Sequence, residues 1–427
     1  MTQRPPAPQS RRTFLRMSGI AGITAASAGA LAAAGCGSNT GRPGAQGDEL
    51  VHWYHQYGED GVQQAVERYA AEFDGAQVRV QWTPGNYDTK LQAALQGSGP
   101  PDVFEYQTKV DLVRAGLLEP LDDVIAGARD DFTEAALASH TVDGTVYGIP
   151  QAVDTQILVY RRSLLDGAGL EPPASFDALL DAARALTDGD RKGLFVGNDG
   201  GVTTLAPLAL FSVGLRLVTD DRRPGFAEPE AARAYRGLRE LFESDALLLG
   251  APTDWSDPAA FTQELTAMQW TGLWALPQIE EAFPGDYGVL PWPKLTDAGA
   301  DSVPVGAFGA MAYAEGGKVD LAKEYIRWLW VERTDLQEDF NLGYGFHIPP
   351  RRSIADRADA LAEGPAADVV RYVDELGRTS SPPEWTPAMD SALKDALTGV
   401  VRGGADPDRE LRVAAETVQD ELDRLYG

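Results

Sequence analysis

One cysteine, Cys36, is the whole thiol content of this chain, so no internal disulfide can form and no second thiol is available for redox or zinc chemistry. Histidine is scarce as well. The four present, His52, His55, His140 and His347, show no zinc-site spacing, and His52 and His55 lie three apart on an expected strand end, where their side chains diverge. Asp188, Gly189, Asp190 and Gly193 lack the remaining ligands of a calcium loop and read as a polar turn. There is no Gly-x-Ser-x-Gly nucleophile turn, and Gly306 to Gly309 is no dinucleotide fingerprint. No metal and no cofactor are therefore expected. Cations are outnumbered, with 37 Lys and Arg against 64 Asp and Glu and a formal charge of -27. Such a surface excludes nucleic acid and electrostatic adhesion to anionic lipid as partners. After Cys36 no apolar run is long enough to span a bilayer; the nearest, Leu205 to Leu217, carries Pro207 and Arg216. No internal repeat is visible.

What the chain does have begins at its N-terminus. Ser10, Arg11, Arg12, Thr13, Phe14, Leu15 and Arg16 resemble the twin-arginine export signal of folded proteins. The Ala-rich stretch from Met17 to Gly35 is too rich in small residues to make a comfortable span. It ends in Leu31, Ala32, Ala33, Ala34, Gly35, Cys36, which resembles a lipobox with Ala33 where leucine is usual. The resemblance implies a signal peptide over residues 1–35, cleavage before Cys36 and a lipid on its thiol. Removing Arg4, Arg11, Arg12 and Arg16 moves the formal charge from -27 to -31, so the lipid would be the sole membrane contact, on the extracytoplasmic face of the cytoplasmic membrane. Residues 36–48, rich in Gly with Ser, Asn and Pro, read as a flexible tether.

Folded structure is expected from Leu50. Leu50 to Tyr54 reads as a strand; Val62, Ala65, Val66, Tyr69 and Phe73 share one helix face; Val78, Val80 and Trp82 alternate as a second strand. A second helix carries Leu91, Ala94 and Leu95, broken by Gly97 to Pro101 before the apolar strand at Val103 and Phe104. This alternation predicts an α/β fold on a parallel sheet with ligands at the carboxyl ends of strands. Further helices are readable at Phe176 to Leu186, Pro229 to Phe242, Leu321 to Trp330 and Leu411 to Leu425. About 380 residues exceed what one core of about 250 to 300 residues holds, so two lobes are expected.

The order of several segments resembles the family 1 extracellular solute-binding proteins of sugar ABC importers, of the maltose-binding type. They are Gly97-Ser98-Gly99-Pro100-Pro101-Asp102-Val103-Phe104, Ala115 to Asp122, Asp143 to Pro150 with Asp154, Thr155 and Tyr160, then Ala267, Met268, Gly272 and Trp274, and finally Gly343, Tyr344, His347, Ile348, Pro349 and Arg351. Arg161 stands where that family often has asparagine. The resemblance covers the chain from about Leu50 onward and implies a two-lobed periplasmic-binding-protein-like fold (type II). Its lobes would be discontinuous, 49–154 with 304–352 and 155–303 with 353–427, around a hinge and an interlobe cleft. It further implies a monomeric, non-enzymatic protein that captures a di- or oligosaccharide and presents it to a membrane permease. Two alternatives remain: the same fold binding a polyamine, a polyol phosphate or a peptide, and an anchored glycosidase working with two carboxylates.

A sugar site mixes polar side chains for the hydroxyls with aromatic rings for the C–H faces. His55, Gln56 and Tyr57 follow the first strand with that mix, and Trp53 precedes them. Glu105, Tyr106 and Gln107 emerge at the carboxyl end of another strand. Asp154 sits where the family places a ligand-contacting polar residue beside the hinge, and a carboxylate there accepts two sugar hydroxyls. Trp270 and Trp274 flank Gly272, which permits close backbone approach; Trp255 and Trp385 lie in Pro- and Asp-rich loops that read as exposed; Arg351 follows two prolines. Trp328 and Trp330, in a helix, read as packing residues.

Overall fold

A computed structural model describes residues 49–427 other than 58, 60, 98 and 345. The expected signal peptide, Cys36 and the tether lie outside the described residues. The strands are β1 (Leu50–His55), β2 (Val78–Thr83), β3 (Val103–Tyr106), the small hairpin β4 (Thr141–Val142) and β5 (Thr145–Val146), β6 (Ile149–Arg161), β7 (Lys192–Phe195), β8 (Thr266–Gly272), β9 (Tyr287–Leu290), β10 (Val303–Ala312) and β11 (Gly377–Thr379). Helix α1 (Val62–Ala71) links β1 to β2 and α2 (Tyr87–Leu95) links β2 to β3. The expected face of α1 is the buried one, through Val62, Ala65, Val66 and Tyr69. Asn86 caps α2 by accepting the Thr89 N–H. The later helices fall where their periodicity places them, Phe176–Leu186, Pro229–Glu243 and Pro407–Tyr426 among them. The helix Val319–Arg327 passes into a π-helical turn over Trp328–Glu332. No helix among the described residues is long and apolar enough to cross a membrane.

The expectation of a parallel sheet is corrected. Strand order is β2-β1-β3-β10-β6-β8-β7, with β11 beside β10 and β9 beside β6. The β1–β2, β1–β3 and β7–β8 pairs are parallel, but β10 runs antiparallel to both β3 and β6, and β6 antiparallel to β8 and β9. Helical crossovers impose parallel neighbours only where strands follow one another through a helix; β10 returns from the far half of the chain and enters between β3 and β6 in the opposite sense.

Strand β6 joins the two halves of the sheet. From Ile149 to Thr155 it pairs with β10, and from Gln156 onward with β8 and β9. A register shift between Phe308 and Gly309 bends β10 at this seam, and a Cβ at Gly309 would stand 2.6 Å from the buried His140 ring, so only glycine fits. The core is divided accordingly. Tyr54, Val66, Tyr69, Tyr325, Trp330 and Phe340 pack on the β1 side, whereas Leu158, Phe176, Leu205, Trp270, Trp292 and Trp385 pack on the β8 side. Trp330 is core, as expected, and Trp328 packs half-buried beside it.

Candidate functional site

Parallel pairing sends the carboxyl ends of β1 and β3 to one edge, and there, against the seam of β6 and β10, lies a cavity of 480 Å³. From the β1 side it is lined by His55, Gln56, Tyr57 and Glu59; from the seam by Asp154 and Phe308; from the β8 side by Ser256, Asp257, Trp274 and Gln278, with His347 at its floor. Among the described residues, neither Lys nor Arg lines it.

Buried Glu105 organises the β1 end. Its Oε1 accepts the His55 backbone N–H at 2.6 Å and His55 Nδ1 at 2.5 Å, and its Oε2 accepts the Tyr57 hydroxyl at 2.7 Å. Burial by itself would lower the His55 pKa, but the Glu105 carboxylate outweighs it, with Asp154 and Glu59 adding, and the proton is held more tightly than usual. The His55 ring stacks on Phe308 with centroids 4.7 Å apart.

The floor is an ion triad around the buried His347. His347 contacts Asp154 through Nδ1 and Glu59 through Nε2, the latter at 3.3 Å. Burial pulls the imidazole toward neutrality, yet Asp154 and Glu59 push its pKa up to about 10, so it is an imidazolium at neutral pH. The backbone N–H of His347 donates to Asn341 O inside a second π-helical segment, Asp339–Tyr344, which sets the loop's position.

On the β8 side Trp274 meets Trp255 edge to face, with centroids 6.0 Å apart, and its Nε1–H donates to Ser256 O. A Cβ at Gly272 would lie 2.2 Å from the Trp274 ring, so this glycine makes room for the tryptophan rather than for a solute. Gln269, fully buried, donates to Trp255 O and Asp257 O and accepts the Phe261 N–H, which pins the loop bearing Ser256 and Asp257.

The cavity thus brings together His55, Gln56, Tyr57, Asp154 and Trp274, with Trp255 packed behind Trp274 and Gly272 beneath it. The other residues expected at a site lie elsewhere. Trp270 is wholly buried, its Nε1–H donating to Gln156 and its ring edge-on to Trp292. Trp385, expected exposed, is 2% exposed and packs edge-on to Phe226, because the helices Pro387–Val401 and Pro407–Tyr426 enclose a loop that has no apolar periodicity of its own. Arg351 clamps Asp131 at 2.7 Å and Val331 O, away from the cavity. Tyr106 packs beside Tyr87, and Gln107 lies against Gly306 of β10. Trp53 is half-buried at the margin of that tyrosine cluster. Arg161 is a clamp as well, bound to Asp286 at 2.8 Å over the Phe283 ring.

Glu59, Phe308, Gln278, Asp257 and His347 were not anticipated as lining residues. A lone phenylalanine among the small residues Gly306, Ala307 and Gly309 was the one local signal for Phe308. Nothing local marks Glu59 or Gln278.

The sequence profile of the bacterial extracellular solute-binding proteins matches residues 55–330 of this chain. The galactooligosaccharide-binding protein of Bacillus subtilis (strain 168) is 28% identical over 426 residues, covering 92% of this chain and 94% of its own length. Among solved structures, the GacH receptor of Streptomyces glaucescens, determined unliganded and with acarbose, is 25% identical with a TM-score of 0.71 over 88% of this chain and 98% of its own. A solute-binding protein of an ABC transporter from Thermotoga lettingae, bound with α-D-tagatose, has a TM-score of 0.74 at 21% identity, covering 88% of this chain and 100% of its own. The fold is the two-lobed one of these periplasmic-type binding proteins.

Proposed function

The chain belongs to the bacterial extracellular solute-binding protein family, and from that premise we propose that it captures a carbohydrate, a di- or oligosaccharide, between two lobes and delivers it to the membrane permease of an ABC importer. The observation that carries this reading is the mixture in one cavity of carboxylates (Glu59, Asp154, Asp257), amides (Gln56, Gln278) and aromatic faces (Trp274, Phe308), contributed from both sides of the β6–β10 seam. Carboxylates and amides suit hydroxyls, rings suit the C–H faces of a pyranose, and 480 Å³ falls in the range of small-molecule sites. Asp154 is the leading candidate contact, one residue before β6 exchanges β10 for β8. That exchange also supports lobes of 49–154 with 304–352 and 155–303 with 353–427, crossing there. Moving such lobes from mostly open to mostly closed requires about 5 kcal/mol of differential binding, within reach of stacked rings and several charge-assisted hydrogen bonds. The anchoring scheme, with residues 1–35 as signal peptide, lipid on Cys36 and a monomer at the outer face of the cytoplasmic membrane, belongs to the same proposal. Labelled fatty acid should enter the wild type and not Cys36→Ser.

The test is a thermal-shift screen against mono-, di- and oligosaccharides, polyols, amino acids and polyamines, with product analysis of every hit. At about 100 times the dissociation constant a solute adds about 2.7 kcal/mol to stability. An intact sugar that raises Tm supports the reading; a cleaved sugar would point to a glycosidase. One observation favours a second reading: among the described residues three carboxylates and no Lys or Arg line the cavity, so a polyamine response with silence from every sugar would keep the fold and change the solute.

A further inference from the structure

Glu105 reaches the cavity's side chains from behind, without lining the cavity. It is fully buried, and both of its oxygens are committed. A carboxylate accepts and does not donate, so the His55 ring must carry its proton on Nδ1, and the Tyr57 hydroxyl must point its hydrogen inward. The His55 side chain retains 23% exposure on the opposite edge, where Nε2 has no partner among the described residues. Phe308 stacks on the imidazole, and Tyr87 stands edge-on to it at 6.0 Å. Tyr87 in turn donates to Glu105 O at 2.7 Å, which ties α2 to the same residue.

We propose that Glu105 is the positioning residue of this cavity: by accepting from His55 Nδ1–H and the Tyr57 hydroxyl it holds the ring as an imidazolium whose Nε2–H is a fixed donor, so the site selects a solute with an acceptor oxygen at that point. The selectivity half rests on the carbohydrate reading; the positioning half does not. A hydroxyl, ring or glycosidic oxygen fits such a donor, whereas an ammonium group does not, which sets His55 against the polyamine alternative. The charged groups facing His55 are Glu105 from β3, Asp154 from β6, Glu59 from the loop after β1 and Asp88 from α2. The His347 imidazolium stands beyond Tyr57, with ring centroids 6.1 Å apart. All four carboxylates favour the charged ring, but only Glu105 also fixes its direction.

The experiment is an imidazole ¹⁵N titration of the full chain without solute, in wild type, Glu105→Gln and Tyr57→Phe, paired with calorimetry using galactotriose. Four histidines make the spectrum assignable. Wild-type His55 should hold protons on both nitrogens at pH 6.5, the ordinary histidine midpoint. Glu105→Gln, which keeps the shape and loses the charge, should lower its titration midpoint by about one unit; Tyr57→Phe should leave the midpoint raised. Galactotriose affinity of Glu105→Gln should then fall about tenfold between about pH 5.5 and about pH 8, against less than about threefold for wild type. A wild-type ring that lacks the proton on either nitrogen at pH 6.5, or a midpoint that Glu105→Gln does not move, overturns the proposal. Should Glu105→Gln fail to fold, the wild-type nitrogen shifts decide alone. Galactotriose that binds neither protein passes the affinity comparison to the first sugar that raises Tm in the screen, and silence from every sugar there removes the carbohydrate reading, while the solute-free titration still decides the role of Glu105.

Discussion

His52 and His55 stand three residues apart on β1, and the fold drives their protons in opposite directions. Strand alternation sends His52 inward, beside Tyr54 and Tyr325, where no carboxylate among the described residues reaches it and burial lowers its pKa to about 3. His140 fares alike, wedged against Gly148 and Gly309 with Thr108 on Nδ1 and a pKa lowered to about 3. His55 and His347 are also buried in large part, yet Glu105 in one case, and Asp154 with Glu59 in the other, reverse the effect. Burial by itself removes charge; burial with a carboxylate in contact stores it. The cavity is the region where this protein stores charge, and the core beneath the sheet is where it excludes it.

The comparison can be broken in four places. The largest effect belongs to the core: Trp270→Ala should cost about 3–5 kcal/mol in urea unfolding and leave the affinity of the folded protein nearly intact, since the ring touches only core partners. His347→Ala comes next, about 3 kcal/mol, because it strands Asp154 and Glu59 as neighbouring unpaired charges. A loss no larger than that of an exposed substitution would show the triad to be solvated, and the contrast with His52 would collapse.

Third is a two-sided pH dependence. His347 is raised in the folded state, so its stabilisation is complete below pH 6.5 and is lost as pH rises toward about 10; by about pH 8 the loss is about 2 kcal/mol. His52 and His140 are depressed, so the unfolded chain binds the extra protons and stability falls as pH drops below 6.5 toward about 3. Each costs about 1 kcal/mol at about pH 5.5. Stability should therefore peak near neutrality, and His347→Gln should flatten the alkaline limb alone; an unchanged limb would assign it to another group. The smallest effect is Trp274→Ala, about tenfold in solute affinity or about 1.4 kcal/mol, with less loss of stability than Trp270→Ala. Asp154→Ala should weaken affinity at least as much, with an added stability loss through His347. Equal affinity in either variant would remove that residue from the site.

The two tryptophans also measure how far the sequence could be read. Trp270 and Trp274 look alike as neighbours of Gly272, and only the strand register, which pairs Leu158 with Trp270 and turns its indole to Gln156, separates core from cavity. Trp385 misled because its loop has no periodicity, while the helices that cover it are contributed by later chain. Arg351 reads as a free cation in sequence, yet its partner, Asp131, lies 220 positions away.

By itself the sequence determined β1 to β3, the helices with clear apolar spacing and the end of β1 as a lining segment, because these follow from local periodicity and short-range sterics. Tertiary structure alone decided that the sheet is mixed, that Glu105 stands behind His55 and that Glu59, Asp154 and His347 meet at one floor. Those contacts join residues 50 to nearly 300 positions apart, and at that separation a side chain's partner and charge state are set by packing, which no local pattern encodes.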